Sequence, residues 1–485
     1  MHQLPKSLKR LSMSKPQLIK YFSQSHILFL IVSVPAIFIF IMLVPLGFGP
    51  DEEVHTARAY QISTGNLYPD SLGAVGRFGG NIPTSLIKLF MYGSVESNSM
   101  NKAIQFYSRK DIRTPATYNE LKAANLNSQQ STIWAFGSTG PYTPVVYMPA
   151  AVGMYIGRHF DLSVGMTVGL AKSLQAIMYI ALCYTALWIV RDKRARWLLF
   201  IIALLPMSIF QASILTADTF TTAAVILFAA IVFKLFTQLY RITNKQIVAV
   251  ALATSLLMLT KPSYAIFCLA LLALPASLFR TKNQHVLLKL AVLFLSAAIF
   301  VAVSWEGLQY ASSISLMSAT PTNSGGLLQV QWILSHPVGF MKTIFRTLII
   351  YPEGWSQDIV GRLGYNLIST PYILVITTIS MLVAAGLYVK DYTKRVAALF
   401  FVLGALSVFS VIFLLFATFN TTGASLVAGI QGRYFIPCIP FVLIGLARFI
   451  PVSINVTNHK AALLFGSVAA ITLYSTVYIY ITALY

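Results

Sequence analysis

Apolar runs long enough to cross a bilayer recur along the whole of this chain, and no other feature limits its fold so severely. At 1.5 Å rise per residue, about twenty apolar residues span the hydrocarbon as a helix. Candidate spans cover 27–46, 168–190, 197–214, 218–237, 246–260, 262–280, 286–304, 371–389, 395–417, 431–450 and 461–484. That is about eleven helices, within a range of about 10–13. Of the 485 residues, 57% are hydrophobic and 10% charged, where a soluble globular domain carries ~25% charged residues. The expectation is an all-α polytopic membrane protein with one membrane domain over 1–485. Two outer loops interrupt it: 47–167, carrying membrane-surface helices, and 305–370.

The first 26 residues hold Lys6, Lys9, Arg10, Lys15 and Lys20 and no acid. A signal peptide begins in this way, but the following apolar run is of spanning length and lacks a small-residue cleavage site. It reads as a retained first helix. The formal charge of +21 would point to nucleic acid in a soluble chain. Here most basic residues fall in short loops, as the positive-inside rule requires, and no nucleic-acid partner is expected. Cys183, Cys268 and Cys438 all lie in apolar segments. An odd number so placed argues against a disulfide framework and a zinc site.

The connectors 191–196, 233–246, 279–289 and 389–395 are basic. With about eleven spans, parity puts all of them and the N-terminus in the cytoplasm and the C-terminus outside. This requires that 142–157, "YTPVVYMPAAVGMYIG", not cross. It is short, holds two prolines, and is read as a helix on the membrane surface; 338–351 is a second of that kind. The unusual polar residues then collect on the extracytoplasmic face of a multi-pass cell-membrane protein.

Three consecutive acids, Asp51, Glu52 and Glu53, follow the first span in "GFGPDEEVHTARAYQ". A carboxylate at the edge of the hydrocarbon is costly unless paired, hydrated or used. The site suits a base acting on a lipid-linked substrate, and a solvated loop start is the plainer reading. His55 and Arg58 follow at helical spacing and share a face with Asp51 or Glu52. Asp218 in "LTADTF" caps a helix, serves the site, or does both. Lys261 in "LTKPSY" snorkels to the headgroups or supplies a point charge for phosphate. Arg433 in "IQGRYFIP" anchors the interface with Tyr434 or clamps phosphate with its planar fork, and Gln431 and Gly432 leave room for close approach. Glu353, Asp358 and Arg362 brace one another, while Trp355 and Tyr365 are lipid anchors or face a sugar. "NTT" at Asn420 is a weak glycosylation match.

The ordered set "PDEEVHTARAYQISTGNLYP", "STGPYTPVVYMPAAVGMYIG", "LPMSIFQASILTADTFT", "LTKPSYAIF", "SHPVGF" and "QGRYFIPCIP" resembles the GT-C superfamily of membrane glycosyltransferases. More narrowly, it is similar to a bacterial branch known mainly as a domain of unknown function. The resemblance implies a GT-C-like fold and transfer of a sugar from a polyprenyl phosphate or diphosphate to a cell-envelope glycan or lipid acceptor. Transfer would occur on the outer face with inversion at the anomeric carbon. A carboxylate near the end of the first helix would activate the acceptor. That role falls on Asp51, with Glu52 the close competitor, because three consecutive acids depart from the commonest pattern. Arg433 and Lys261 would stabilise the lipid-phosphate leaving group, and a groove among the surface helices would hold the polyprenyl tail. Some members use a divalent metal and others do not; cationic residues on the phosphate need none, so no cofactor is expected. Two alternatives belong to other classes. A transporter or lipid flippase should show broken helices and a charged through-path. A polysaccharide polymerase or ligase should hold its essential groups in late outer loops.

Overall fold

The computed structural model describes residues 24–72, 78–93, 115–126, 130–140, 142–313, 326–364, 368–389 and 391–484. The N-terminal lysines and Tyr365 lie outside the described residues. The chain is mainly helical. In order come α1 (Ser25–Leu43), α2 (Glu52–Ser63), α3 (Thr84–Gly93), α4 (Pro115–Ala123), α5 (Met148–His159) and α6 (Val164–Ile189). Next are α7 (Ala195–Ala203), α8 (Pro206–Ser213), α9 (Ala217–Thr237), α10 (Asn244–Met258), α11 (Lys282–Ser313) and α12 (Gly326–Ser335). The last are α13 (Pro337–Ile350), α14 (Pro352–Val360), α15 (Tyr372–Tyr388), α16 (Lys394–Phe419), α17 (Ile439–Ala447) and α18 (Asn458–Leu484).

Among the described residues, α1, α6, α9, α16 and α18 are long and apolar enough to cross a membrane, and α7 with α8 makes a sixth if the pair is one span. The other predicted spans fall on helical segments that are shorter or less apolar. Apolar residues face outward in stripes. On α1, Ile31, Val34, Phe38 and Met42 are exposed, while Phe29, Ala36 and Phe40 are buried. Such a stripe suits lipid, where an apolar side chain outside the bundle loses nothing.

The centre of the bundle is α9, in which every residue from Ala217 to Phe233 is buried. A helix apolar on all sides belongs in a core. It also separates two chemical ends. Asp218 lies in its first turn and Lys234 in its last, roughly 24 Å apart at 1.5 Å per residue. Lys234 meets Asp192 of the 191–196 connector at 3.8 Å.

The segment 197–214 is bent by 52° between α7 and α8. Pro206 opens α8, and proline cannot donate the hydrogen bond that would continue α7. Side chains take up carbonyls near the break: the Ser208 hydroxyl donates to Ile202 O at 2.9 Å and the Tyr179 hydroxyl to Ala203 O at 2.8 Å. Two further spans depart from plain helix. Pro262–Ala273 and Gly432–Cys438 are 3₁₀ segments, longer than the three or four residues usual for that geometry.

Between α1 and α6 the chain folds α2 and α5 against each other and α5 against α6. Strands β1 (Asp70–Ser71), β2 (Phe78–Pro83) and β3 (Ser131–Ala135) form an antiparallel sheet in that order, with Gly80 opposite Trp134. The predicted surface helix over 142–157 is a 3₁₀ turn, Pro144–Tyr147, followed by α5. At 12 residues α5 reaches about 18 Å, too short to span. It buries Ala150, Ala151 and Met154 and exposes Met148, Val152 and Tyr155. Helix α13 likewise exposes Val338, Met341, Phe345 and Ile349 over buried Phe340 and Ile344. After α14, β4 (Arg362–Leu363) and β5 (Ile368–Ser369) pair antiparallel. Asn420 does not match the glycosylation reading. Its side chain is buried, accepts from Ala428 N at 2.7 Å and donates to Leu415 O at 2.9 Å.

Helices α16 and α17 touch through Gly445, where a Cβ would stand 2.6 Å from Phe401 N. Gly445→Leu should force them apart at about 1–3 kcal/mol and lower the melting temperature in detergent. Leu446→Ala, at an exposed position, should leave it within error.

Candidate functional site

The chain leaves α1 and turns at Pro45–Pro50 into α2, and a buried carboxylate fixes that turn. Glu52 has no exposed surface and meets Lys172 Nζ of α6 at 3.0 Å. Its other oxygen accepts from the amides of Gly47 at 2.8 Å and Gly49 at 3.1 Å, and Leu215 N reaches the first at 3.2 Å. Every lone pair that such a carboxylate offers is taken. Glu52 is therefore a structural clamp, which corrects its expected role as an alternative base.

Asp51, one residue earlier, has the opposite character. Its backbone is left-handed, with φ of 57°, a conformation that costs most L-residues free energy and that Asp tolerates better than most. It occupies the N-cap of α2 yet makes no cap hydrogen bond, although capping is the ordinary use of Asp there. Its carboxylate instead faces Arg433, with Nη2 to Oδ2 at 3.3 Å, and stays 53% exposed.

Arg433 is 5% exposed and joins two acids. Its Nη2 meets Asp51 and its Nε lies 3.4 Å from Asp218 Oδ2. Asp218 also forms a close ion pair with Lys261 and accepts from Gln211 Nε2 at 3.2 Å. It does not cap α9, because Thr216 accepts from the backbone N–H of Asp218. Asp218 sits one residue into the helix, where the dipole favours an anion. The two cations enter on the two 3₁₀ segments: Lys261 precedes one and Arg433 lies in the other. Two carboxylates and two cations thus balance, and Asp51 is the member open to solvent.

Aromatic rings fill the space between. Lys261 Nζ stands 5.2 Å from the Tyr142 ring centre and 4.7 Å from that of Tyr434, and the Arg433 guanidinium is 5.2 Å from Tyr434. His55 lies beneath, with Nδ1 2.7 Å from the Tyr147 hydroxyl and its ring 6.0 Å from Tyr142. Burial pushes the His55 imidazole down to about 4, outweighing the nearby carboxylates of Asp51 and Asp218. Burial pushes Tyr147 well up. At neutral pH the phenol is therefore protonated and the imidazole uncharged, and the two share one hydrogen bond at Nδ1.

Arg433 is held in place by α14 and the residues beside it. Asp358 accepts from Gly432 N at 2.9 Å and pairs with Arg362 at 3.4 Å. A Cβ at Gly432 would come 2.1 Å from Trp355 O, so only glycine admits α14 this close. Trp355 is buried edge-on against Phe435, and Glu353 accepts from the Tyr372 hydroxyl. Asp358 and Trp355 thus brace the Arg433 segment, and Glu353 ties α14 to α15.

Asp51, Asp218, Lys261, Arg433 and Tyr434 are thus brought together, with His55 behind them. Gln431 sits just ahead of Gly432, and its side-chain oxygen is buried with no hydrogen-bond partner among the described residues. Arg58 is a correction: fully buried, it donates to Gln61 and to the Leu67 carbonyl, pinning the chain after α2. Sequence reasoning missed Tyr142, Tyr147 and Lys172. A lone lysine inside the apolar run "VGLAKSLQAI" was the available signal, since such a charge needs a partner. Among the described residues, no three His, Cys, Asp or Glu converge as metal ligands.

A family model described as "Predicted membrane protein (DUF2142)" matches residues 36–442. No curated protein and no solved structure matches.

Glu52→Gln leaves Lys172 buried without a counter-charge, which typically costs about 3–5 kcal/mol. The variant should lose most of its folded yield in detergent, and Glu52→Gln with Lys172→Met should recover part of it. A Glu52→Gln protein as stable as the parent would remove the clamp from the account.

Proposed function

We propose that this chain, which belongs to that family of predicted membrane proteins, is an inverting glycosyltransferase. It moves a sugar from a polyprenyl phosphate or diphosphate to a cell-envelope glycan or lipid acceptor on the extracytoplasmic face. The observation that carries the reading is Asp51: an exposed carboxylate in left-handed backbone, just past a membrane helix, whose ion-pair partner among the described residues is Arg433. Such local strain is a pointer to function. The GT-C resemblance of the ordered motifs along the chain supplies the reaction class. About eleven spans, counting the short and bent segments, put this cluster outside and the basic connectors inside.

In this mechanism Asp51 and the donor phosphate compete for Arg433. An arriving phosphate takes up the guanidinium fork, and Asp51 is released toward the acceptor. The acceptor oxygen attacks the anomeric carbon from the side opposite the phosphate. The carbon–oxygen bond to phosphate breaks, its electron pair stays on the phosphate oxygen, and the acceptor proton passes to Asp51. Lys261 and Arg433 balance the charge that develops on the leaving group. Asp218 keeps both cations charged and in register. Neutral His55 and the tyrosines give a buried floor behind Asp51, so the reacting groups meet fixed dipoles rather than bulk water.

The bent pair α7–α8, with the 3₁₀ segments, is what favours a transporter among the described residues. Its bend, however, holds Leu204 and Leu205, both buried among apolar residues, and nearby carbonyls are taken by Ser208 and Tyr179.

Turnover of a polyprenyl-phosphate sugar by purified protein in detergent tests the proposal. Asp51→Asn should fold, because Asn also accepts left-handed backbone, and should lose on the order of 10²-fold or more in rate. Undiminished turnover in Asp51→Asn ends the proposal. Arg433→Lys keeps the charge and loses the two-pronged geometry. It should raise the donor KM more than the acceptor KM, whereas a mere interfacial anchor would tolerate lysine with neither constant changed.

A further inference from the structure

The end of the bundle away from Asp51 carries its own binding geometry. There the connector after α6, the end of α9 and the loop before α18 surround a recess of about 650 Å³, within the roughly 300–1,000 Å³ usual for ligand sites. Lys193, Arg194 and Arg196 line it, and their charges are poorly matched. One carboxylate, Asp192, is shared by Lys193 and Lys234 at 3.8 Å each, and it is half exposed. Asp391, the other acid in the lining, is exposed.

Neither arginine forms an ion pair among the described residues, although the Asp192 charge still reaches Arg196. The Arg194 guanidinium lies 5.0 Å from the Tyr388 ring centre and reaches Tyr388 O at 3.5 Å. Arg196 donates to Arg191 O and stacks on Trp197 at 5.4 Å. A guanidinium held by a ring and a carbonyl is oriented but not neutralised, and its remaining donors suit a phosphate.

The rim supplies a second, independent observation. Leu239, itself part of the lining, is fully exposed, and Tyr240 beside it is exposed. After α17, at the same end, Phe449, Ile450 and Val452 are exposed as well. Arg448 ties that segment to Tyr392 O at 2.9 Å, next to Asp391 of the recess. Apolar side chains standing clear of the protein beside a cationic hollow match the depth at which headgroups give way to acyl chains. Basic pockets between membrane helices are where acidic lipid headgroups bind.

We propose that this recess binds the phosphate of an acidic phospholipid, with Arg194 and Arg196 as its principal cations and the acyl chains passing Leu239. The site is separate from the Asp51 cluster and does not depend on the glycosyltransferase reading. It also assigns a use to this connector beyond setting topology: a headgroup seated there ties α6, α9 and α18 together through one ligand.

The purified full chain in neutral detergent is titrated with phosphatidylglycerol, with phosphatidylcholine and with inorganic phosphate, and thermal unfolding is followed. Phosphatidylglycerol should raise the melting temperature saturably, while the other two at equal concentration leave it unchanged. Arg194→Gln with Arg196→Gln should weaken half-saturation by about tenfold or more, and Arg194→Lys with Arg196→Lys should restore most of it. Should the glutamine variant not fold, native mass spectrometry of Leu239→Asp decides, since it should retain fewer phosphatidylglycerol molecules than the parent. Equal shifts with both lipids, an unchanged response in the glutamine variant, or equal lipid retention by Leu239→Asp overturns the proposal. A shift with inorganic phosphate matching that with phosphatidylglycerol assigns the recess to free phosphate and overturns the lipid.

Discussion

A single buried carboxylate, Glu52, organises the end of the bundle that carries the Asp51 cluster. It is cut off from water and held by Lys172 and three backbone amides. Desolvating a carboxylate and an ammonium is expensive, and the expense is met only when the remaining hydrogen-bond positions are filled. Here they are, and the groups that fill them come from three parts of the chain: the exit of α1, the middle region of α6 and the turn between α8 and α9. Because those parts are locked together, the residue just before Glu52 has little freedom. Asp51 is left in left-handed backbone with its carboxylate turned away from its own helix and toward Arg433. The structural acid and the available acid are neighbours in sequence and opposites in environment.

The same division of labour runs through the rest of the cluster. Thr216 caps α9, so Asp218 is spared for Lys261 and Arg433. Asp358 and Trp355 hold the segment carrying Arg433, so its guanidinium is positioned from behind rather than by the groups it faces. Two fixed cations around one fixed carboxylate leave a positive surplus, which Asp51 cancels. A neutral cluster with one exposed anion is stable as it stands, and in the proposed mechanism that anion gives way to a phosphate.

Much of this was legible in the sequence, for physical reasons. Acids and cations within apolar runs are expensive, so Asp51, Asp218, Lys261 and Arg433 stood out individually, and loop charge suggested that they share an end. The shortness and the prolines of 142–157 foretold α5. What spacing could not reveal was which of two adjacent acids is buried, because besides the nearby amides of Gly47 and Gly49 the partners that enclose Glu52 are Lys172 and Leu215, more than a hundred positions away. Arg58 looked available from its helical spacing to Asp51, but the chain after α2 folds back over it. The 3₁₀ segments at 262–273 and 432–438 read as ordinary spans because their apolar composition is that of a helix. Tyr142 and Tyr147 carried no charge to draw attention, and only the fold brings their rings to Lys261 and His55.

The account rests most heavily on the two ends of α9 facing opposite sides of the membrane, with the Asp51 cluster outward. Single cysteines at Asn66 and Asp192, both exposed, can be introduced after replacing the three buried native cysteines. Labelling in intact cells with a membrane-impermeant maleimide then reads the orientation directly. The account predicts that position 66 is labelled at once and position 192 only after the membrane is permeabilised. Labelling of position 192 in intact cells, with position 66 protected, would place the cluster in the cytoplasm and contradict it.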